Sequence, residues 1–214
     1  MILIGMFDSP FVRRVAVSMR LLDIPFEHRD WSVGRDFERI RAHNPLGRVP
    51  TLVLDDGEAL FESAAILEYL DELVGPWRAL LPAQGPDRRR ALNLMALAIG
   101  AAEKGVQQVY EIAFRPPERR HAPWTDRCAA QMQAALTELD RRCEHLRDDA
   151  WLLGARISQA DVTAACAVSF LDSALHVLER ADAYPHLRRL AARCEALPAF
   201  RSIRADFVPP KAGG

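Results

Sequence analysis

The chain has 214 residues, half of them hydrophobic, and a formal net charge of -1, so it is long enough to bury a substantial core as one large or two small domains. Its basic residues are scattered rather than gathered into a run that could track a phosphate backbone, which argues against nucleic acid as a partner. No stretch approaches the ~18 consecutive apolar residues of a membrane span, and the apolar start at residues 1–6 is too short for a signal-peptide core; a soluble, cytoplasmic protein with no membrane partner is expected.

Residues 2–7 form a continuous apolar run suited to a strand buried on both faces. It ends at Asp8-Ser9-Pro10, where Ser9 can cap a helix and Pro10 fills the first helical position. Phe11, Val15, Met19 and Leu22 then recur at helical spacing. Residues 26–31 read as a second strand and 35–43 as a short helix, giving a βαβ unit whose two strands are parallel. A hairpin follows over 51–54 and 59–61, joined through Asp55-Asp56-Gly57. Glu62-Ser63 opens a helix with an expected apolar stripe of Ala65, Ile66, Tyr69, Leu70 and Leu73. Residues 1–76 thus make an α/β module with an open mixed sheet.

Residues 77–86 carry Pro82, Gly85 and Pro86 among the apolar anchors Trp77, Leu80 and Leu81, and read as a linker. Beyond it, helical patterns over 87–114, 125–146, 159–178, 185–197 and 198–206 make residues 87–214 an all-helical domain. Cys128, Cys143, Cys166 and Cys194 lie at long irregular spacings with no CxxC pair, so they read as buried thiols and no metal site is expected.

Three local features carry chemistry. Ser9 stands at a helix start, where free N–H groups and the helix dipole favour an anion. Pro50, just before a strand, can be a cis-proline that leaves the preceding backbone groups open to an extended ligand. Glu62 and Ser63 open another helix, where Ser63 could take a carboxylate and Glu62 an ammonium group. Taken singly, each has a plainer reading as a cap or a turn. Together they occupy the strand ends of one small sheet, where an α/β domain presents its ligand crevice.

The fragments Ser9-Pro10-Phe11-Val12-Arg13-Arg14, Asn44-Pro45-Leu46-Gly47-Arg48-Val49-Pro50 and Phe61-Glu62-Ser63-Ala64-Ala65-Ile66-Leu67-Glu68-Tyr69-Leu70 resemble the glutathione S-transferase family, in order and at the family's spacing. Gly154-Ala155-Arg156-Ile157-Ser158-Gln159-Ala160-Asp161 adds a likeness to the capping box and buried aspartate of that family's helical domain. The resemblance covers nearly the whole chain and is nearest to serine-type transferases of the tau-like and related bacterial kinds. It implies a thioredoxin-like N-terminal domain that binds glutathione and a helical domain that supplies most of the second-substrate pocket.

Carried over by position, Ser9 would stabilise the glutathione thiolate, Val49 would pair with the cysteinyl part across a cis-Pro50, and Glu62 and Ser63 would hold the γ-glutamyl end. Arg35 and Arg48 are both candidates for the glycyl carboxylate, and Phe7, Phe11, Tyr110 and Phe114 for the electrophile pocket. Glutathione would be a substrate, with no cofactor, and the resemblance implies a homodimer. Family members with cysteine at the Ser9 position form mixed disulfides, which a serine cannot. The expected activity is therefore conjugation of glutathione to small hydrophobic electrophiles. An isomerase, dehalogenase or peroxidase on the same scaffold is the alternative, or a binding protein without catalysis.

Overall fold

The computed structural model describes residues 1–147, 149–180 and 182–210. Its first part contains strands β1 (Ile2–Ile4), β2 (Glu27–Arg29), β3 (Thr51–Val53) and β4 (Ala59–Phe61), with helices α1 (Pro10–Leu21), α2 (Phe37–Arg41) and α3 (Ser63–Val74). The strands form one mixed sheet in the order β2-β1-β3-β4. β1 runs parallel to β2, with Ile2 opposite Glu27, and antiparallel to β3, with Leu3 opposite Leu52. Leu3 and Leu52 are fully buried because they sit on the two central strands.

The strands are shorter than the apolar runs that signal them. β1 gives way at Gly5, whose φ of +132° suits glycine and whose missing Cβ would otherwise lie 2.5 Å from Val12 Cγ2 and 2.8 Å from Val49 Cβ. This close approach brings the start of α1 and the loop before β3 against the end of β1.

The second part is helical: α4 (Gly85–Phe114), α5 (Ala122–Cys143), α6 (Gln159–Leu175), α7 (Pro185–Glu195) and α8 (Pro198–Arg201). α1 packs on α3 and also on α6 and α8. It is therefore buried around most of its circumference, Arg13, Arg14 and Ser18 included, rather than along a single apolar stripe. The segment before α4 is tied at both ends of its apolar core: Asp71 accepts hydrogen bonds from Leu80 N and Leu81 N, and Leu80 O accepts one from Gln159 N. Leu80 and Leu81 are buried, but Trp77, expected to anchor the same segment, is 87% exposed.

α3 also departs from the expected stripe. Its inward residues are Ser63, Ile66, Leu67 and Leu70, while Ala65 lies on the exposed side and Leu73 is 52% exposed. The i, i+3, i+4, i+7 face begins on a serine, so a reading by apolarity alone rotates the helix. All four cysteines are free and buried. Burial, the largest cause, pushes the Cys143 and Cys166 thiols up to about 12, which leaves them unreactive.

Arg13 fastens the chain's end to α1. It donates to both carboxylate oxygens of Glu195 at 2.6 and 2.7 Å and to Ile203 O at 2.8 Å. Burial pushes the Glu195 carboxyl up, but hydrogen bonds from Arg13 and Ser169 outweigh it and hold the group below its ordinary value. A depressed carboxylate contributes stability above its unfolded pKa of about 4.3 and loses it as pH falls through the folded value. Glu195→Gln is therefore expected to lower the urea midpoint at pH 7, with the gap from the wild type closing as pH drops below about 4. A gap that stays constant across that range would refute the ion-pair account.

Candidate functional site

The N-termini of α1 and α3 and the loop before β3 converge at one end of the sheet, facing α4. Phe11 and Arg14 from α1, Arg48, Val49 and Pro50 from the loop, Glu62, Ser63 and Ala64 at the start of α3, and Ile99 and Glu103 from α4 line a cleft of about 80 Å³.

Each wall has a local cause. Ser9 is the N-cap of α1, with extended backbone, and its Oγ accepts from Val12 N at 3.4 Å, near the outer limit of a hydrogen bond. The first turn of α1 contains no acidic side chain, so the positive end of the helix is not neutralised from within. Asp8, one residue earlier, accepts instead from Val208 N at 3.1 Å, and burial pushes its carboxyl up.

The Val49–Pro50 bond is cis. The loop that presents it is pinned by Asn44, which is buried, donates to Arg48 O at 2.9 Å and Thr51 Oγ1 at 3.2 Å, and accepts from Leu46 N at 3.0 Å. Glu62 holds φ 70° and ψ 117°, a conformation L side chains rarely adopt. A residue kept in such a region costs about 1–3 kcal/mol and persists where the surroundings dictate it, often at a ligand site. Its carboxylate lies 3.4 Å from Arg48 Nη1, both side chains being solvent-exposed.

Ser63 and Arg14 form the floor. Arg14 is 2% exposed. Its Nη2 and Nε donate to Ser63 Oγ at 2.8 and 3.1 Å, and its Nη1 donates to Thr163 Oγ1 of α6 at 3.3 Å.

Of the residues singled out from the sequence, Phe11, Arg48, Val49, Pro50, Glu62 and Ser63 come together around the cleft. Ser9 stands at the helix end two residues before Phe11. Arg35 does not join them: it is exposed, donates to Asp30 O and lies 3.7 Å from Asp36. Phe7 also faces elsewhere, stacked on His28 with ring centroids 3.7 Å apart, beside a second cavity of about 20 Å³ that Arg13, Phe170 and Phe207 share. Tyr110 and Phe114 meet edge to face at 5.1 Å on the partly exposed end of α4. Partial burial raises the Tyr110 hydroxyl, against a smaller lowering by Arg48.

Arg14, Thr163, Ile99 and Glu103 were not singled out from the sequence. For Arg14 the signal was present: it falls three residues after Phe11 and one before Val15, on a helix face it shares with Phe11, Val15 and Val17. A charged side chain inside such a face needs a partner.

A model described as the glutathione S-transferase N-terminal domain matches residues 3–78, and one described as the glutathione S-transferase C-terminal domain matches residues 122–193. An uncharacterised GST-like protein of Escherichia coli K12, YibF, is 31% identical over 98% of this chain and 99% of its own. A maleylacetoacetate isomerase of Pseudomonas aeruginosa is 31% identical over 92% of each chain. A crystal structure of a glutathione S-transferase from Methylobacterium radiotolerans, in complex with glutathione sulfonate, superposes with a TM-score of 0.87 at 29% identity, covering 100% of this chain and 96% of that one.

Proposed function

The chain belongs to the glutathione S-transferase family, and from that premise we propose that it binds glutathione and conjugates it to small hydrophobic electrophiles. The observation that carries this reading is the convergence of the cis Val49–Pro50 bond, the strained Glu62 and the buried Ser63 on one cleft beside a helix capped by Ser9. In this reading the cysteinyl part of glutathione pairs with the Val49 backbone. Ser63 takes the γ-glutamyl carboxylate and Glu62 its ammonium group, and Arg48, which lines the cleft where Arg35 does not, takes the glycyl carboxylate.

Ser9 donates a hydrogen bond from its hydroxyl to the thiolate while its oxygen still accepts from Val12 N. The thiolate attacks the electrophilic carbon, a C–S bond forms, and the leaving group departs with its electron pair. Phe11, Tyr110 and Phe114 offer apolar surface for the acceptor. Glutathione enters as a substrate, without a cofactor. The proposal extends to a homodimer and to a cytoplasmic location.

The likeness to a maleylacetoacetate isomerase favours a second reading. A thiolate that adds reversibly to an activated double bond leaves a stabilised carbanion and allows rotation about the resulting single bond; elimination then returns both the thiolate and the isomerised alkene. Both readings need the same ionised sulfur.

Assay of a chloroaromatic acceptor and of a cis-configured activated alkene with glutathione, alongside retention on immobilised glutathione, separates the readings. Conjugation consumes thiol one for one, whereas isomerisation leaves it constant. Retention without either turnover would favour a binding protein, and failure to bind glutathione at all would overturn the proposal.

A further inference from the structure

Arg14 is a buried cation in an unusual position. Among the described residues it makes no ion pair at salt-bridge distance and donates only to the hydroxyls of Ser63 and Thr163, while the exposed Glu62 beside the same cleft acts on it from farther away. Its neighbour Arg13 shows the usual solution, a two-pronged pair with Glu195. Removing a guanidinium from water without a counter-ion is costly, and the cost is recovered when an anion arrives within reach. Burial, the largest cause, brings the Arg14 pKa down only to about 10, so it remains charged at neutral pH.

The hydrogen-bond directions add a second constraint. Ser63 Oγ accepts from both Nη2 and Nε of Arg14. A hydroxyl has two acceptor sites and one proton. With both acceptor sites taken from below, the proton is left to point away from the guanidinium, and both residues line the cleft. Ser63 thereby becomes an obligate donor backed by a full positive charge.

We propose that Arg14 is the positioning residue of a carboxylate subsite: it fixes Ser63 as a donor to the α-carboxylate of the γ-glutamyl group, and that carboxylate supplies a counter-charge one hydroxyl away from the buried guanidinium. This rests on the reading of the cleft as a glutathione site. It adds that the subsite discriminates by charge at one end of the peptide, and that Arg14 acts through Ser63. Thr163 has a supporting part, holding the third nitrogen from α6.

The test compares glutathione with an analogue whose γ-glutamyl α-carboxylate is a carboxamide, titrated calorimetrically into the full-length wild type, Arg14→Lys, Arg14→Met and Thr163→Val. Breaking a buried charge pair typically costs on the order of 30-fold or more in affinity. The wild type should prefer glutathione by about that factor. Arg14→Met should bind the two peptides within about threefold of one another. Arg14→Lys, a point charge without the planar fork, should keep an intermediate preference. Thr163→Val should keep most of it, and the loss in the Arg14 variants should fall on KM more than on kcat.

A merely structural Arg14 would weaken both peptides in parallel and leave their ratio unchanged, which would overturn the proposal. Should Arg14→Met fail to fold, an undiminished ratio in Arg14→Lys would overturn it equally. A wild type that binds neither peptide would instead overturn the glutathione reading itself.

Discussion

Asp161→Ala is expected to destabilise the protein by about 3–5 kcal/mol, with a fall in melting temperature on the order of 10 °C. Asp161 is fully buried at the start of α6. One carboxylate oxygen accepts from Leu152 N at 2.9 Å, and the other accepts from Ser158 N at 2.9 Å and from Ser158 Oγ at 2.6 Å. Burial pushes its carboxyl up against the lowering effect of these donors. Truncation leaves three buried donors without an acceptor, each worth about 1–3 kcal/mol when unsatisfied.

The damage would not stay local, because α6 packs against α1, α4 and α7 and carries the Thr163 that holds Arg14. Asp161→Asn should be milder, since one carbonyl oxygen remains an acceptor while the amide group opposes the other donors. Thermal unfolding followed by far-ultraviolet circular dichroism reads the effect. A melting temperature for Asp161→Ala within about 2 °C of the wild type would refute the capping account.

The order and direction of the strands were legible because they depend on signals that need no tertiary context. Asp56-Gly57 turns a hairpin, and a strand–helix–strand run forces parallel pairing of β1 and β2. The convergence of Ser63, Glu62 and Val49 was legible for a related reason: each stands at a strand or helix end, and the topology brings those ends together.

What was not legible depends on which side of a helix faces inward. Apolarity pointed α3 along Ala65 and Leu73, but its inner face begins at Ser63, whose partner is an arginine on another helix. Phe7, two residues from Ser9, is expected from the sequence in the electrophile pocket. It stacks instead on His28, beside a different cavity. Arg14 carried a signal as a charge beside apolar positions, but its pairing with Ser63 is visible only once both helices are placed.

Ser9→Ala is expected to lower the conjugating rate at neutral pH by tenfold or more while leaving the fold intact. A free thiol with a pKa near ~8.5 is only a few per cent ionised at pH 7. Bringing it to about 6.5 takes roughly 2.7 kcal/mol of preferential stabilisation of the thiolate, at ~1.36 kcal/mol per unit. A hydrogen bond to a charged acceptor supplies ~1.5–3 kcal/mol, and the N-terminus of α1 ~0.3–1 kcal/mol. Without the hydroxyl, the helix alone leaves the thiol within about one unit of its free value.

The sign follows directly. Loss of a donor to the anion raises the bound thiol's pKa, so the rising limb of the pH–rate profile should move to higher pH and the variant should recover at alkaline pH. The capping role predicts something different. The contact to Val12 N is long at 3.4 Å, so losing it should cost near the lower end of the ~0.5–2 kcal/mol range for N-caps, a small change in melting temperature. Ser9→Thr restores a hydroxyl and should recover part of the activity. An alanine variant whose activity falls with its pH profile unmoved would assign Ser9 to the helix and not to the sulfur.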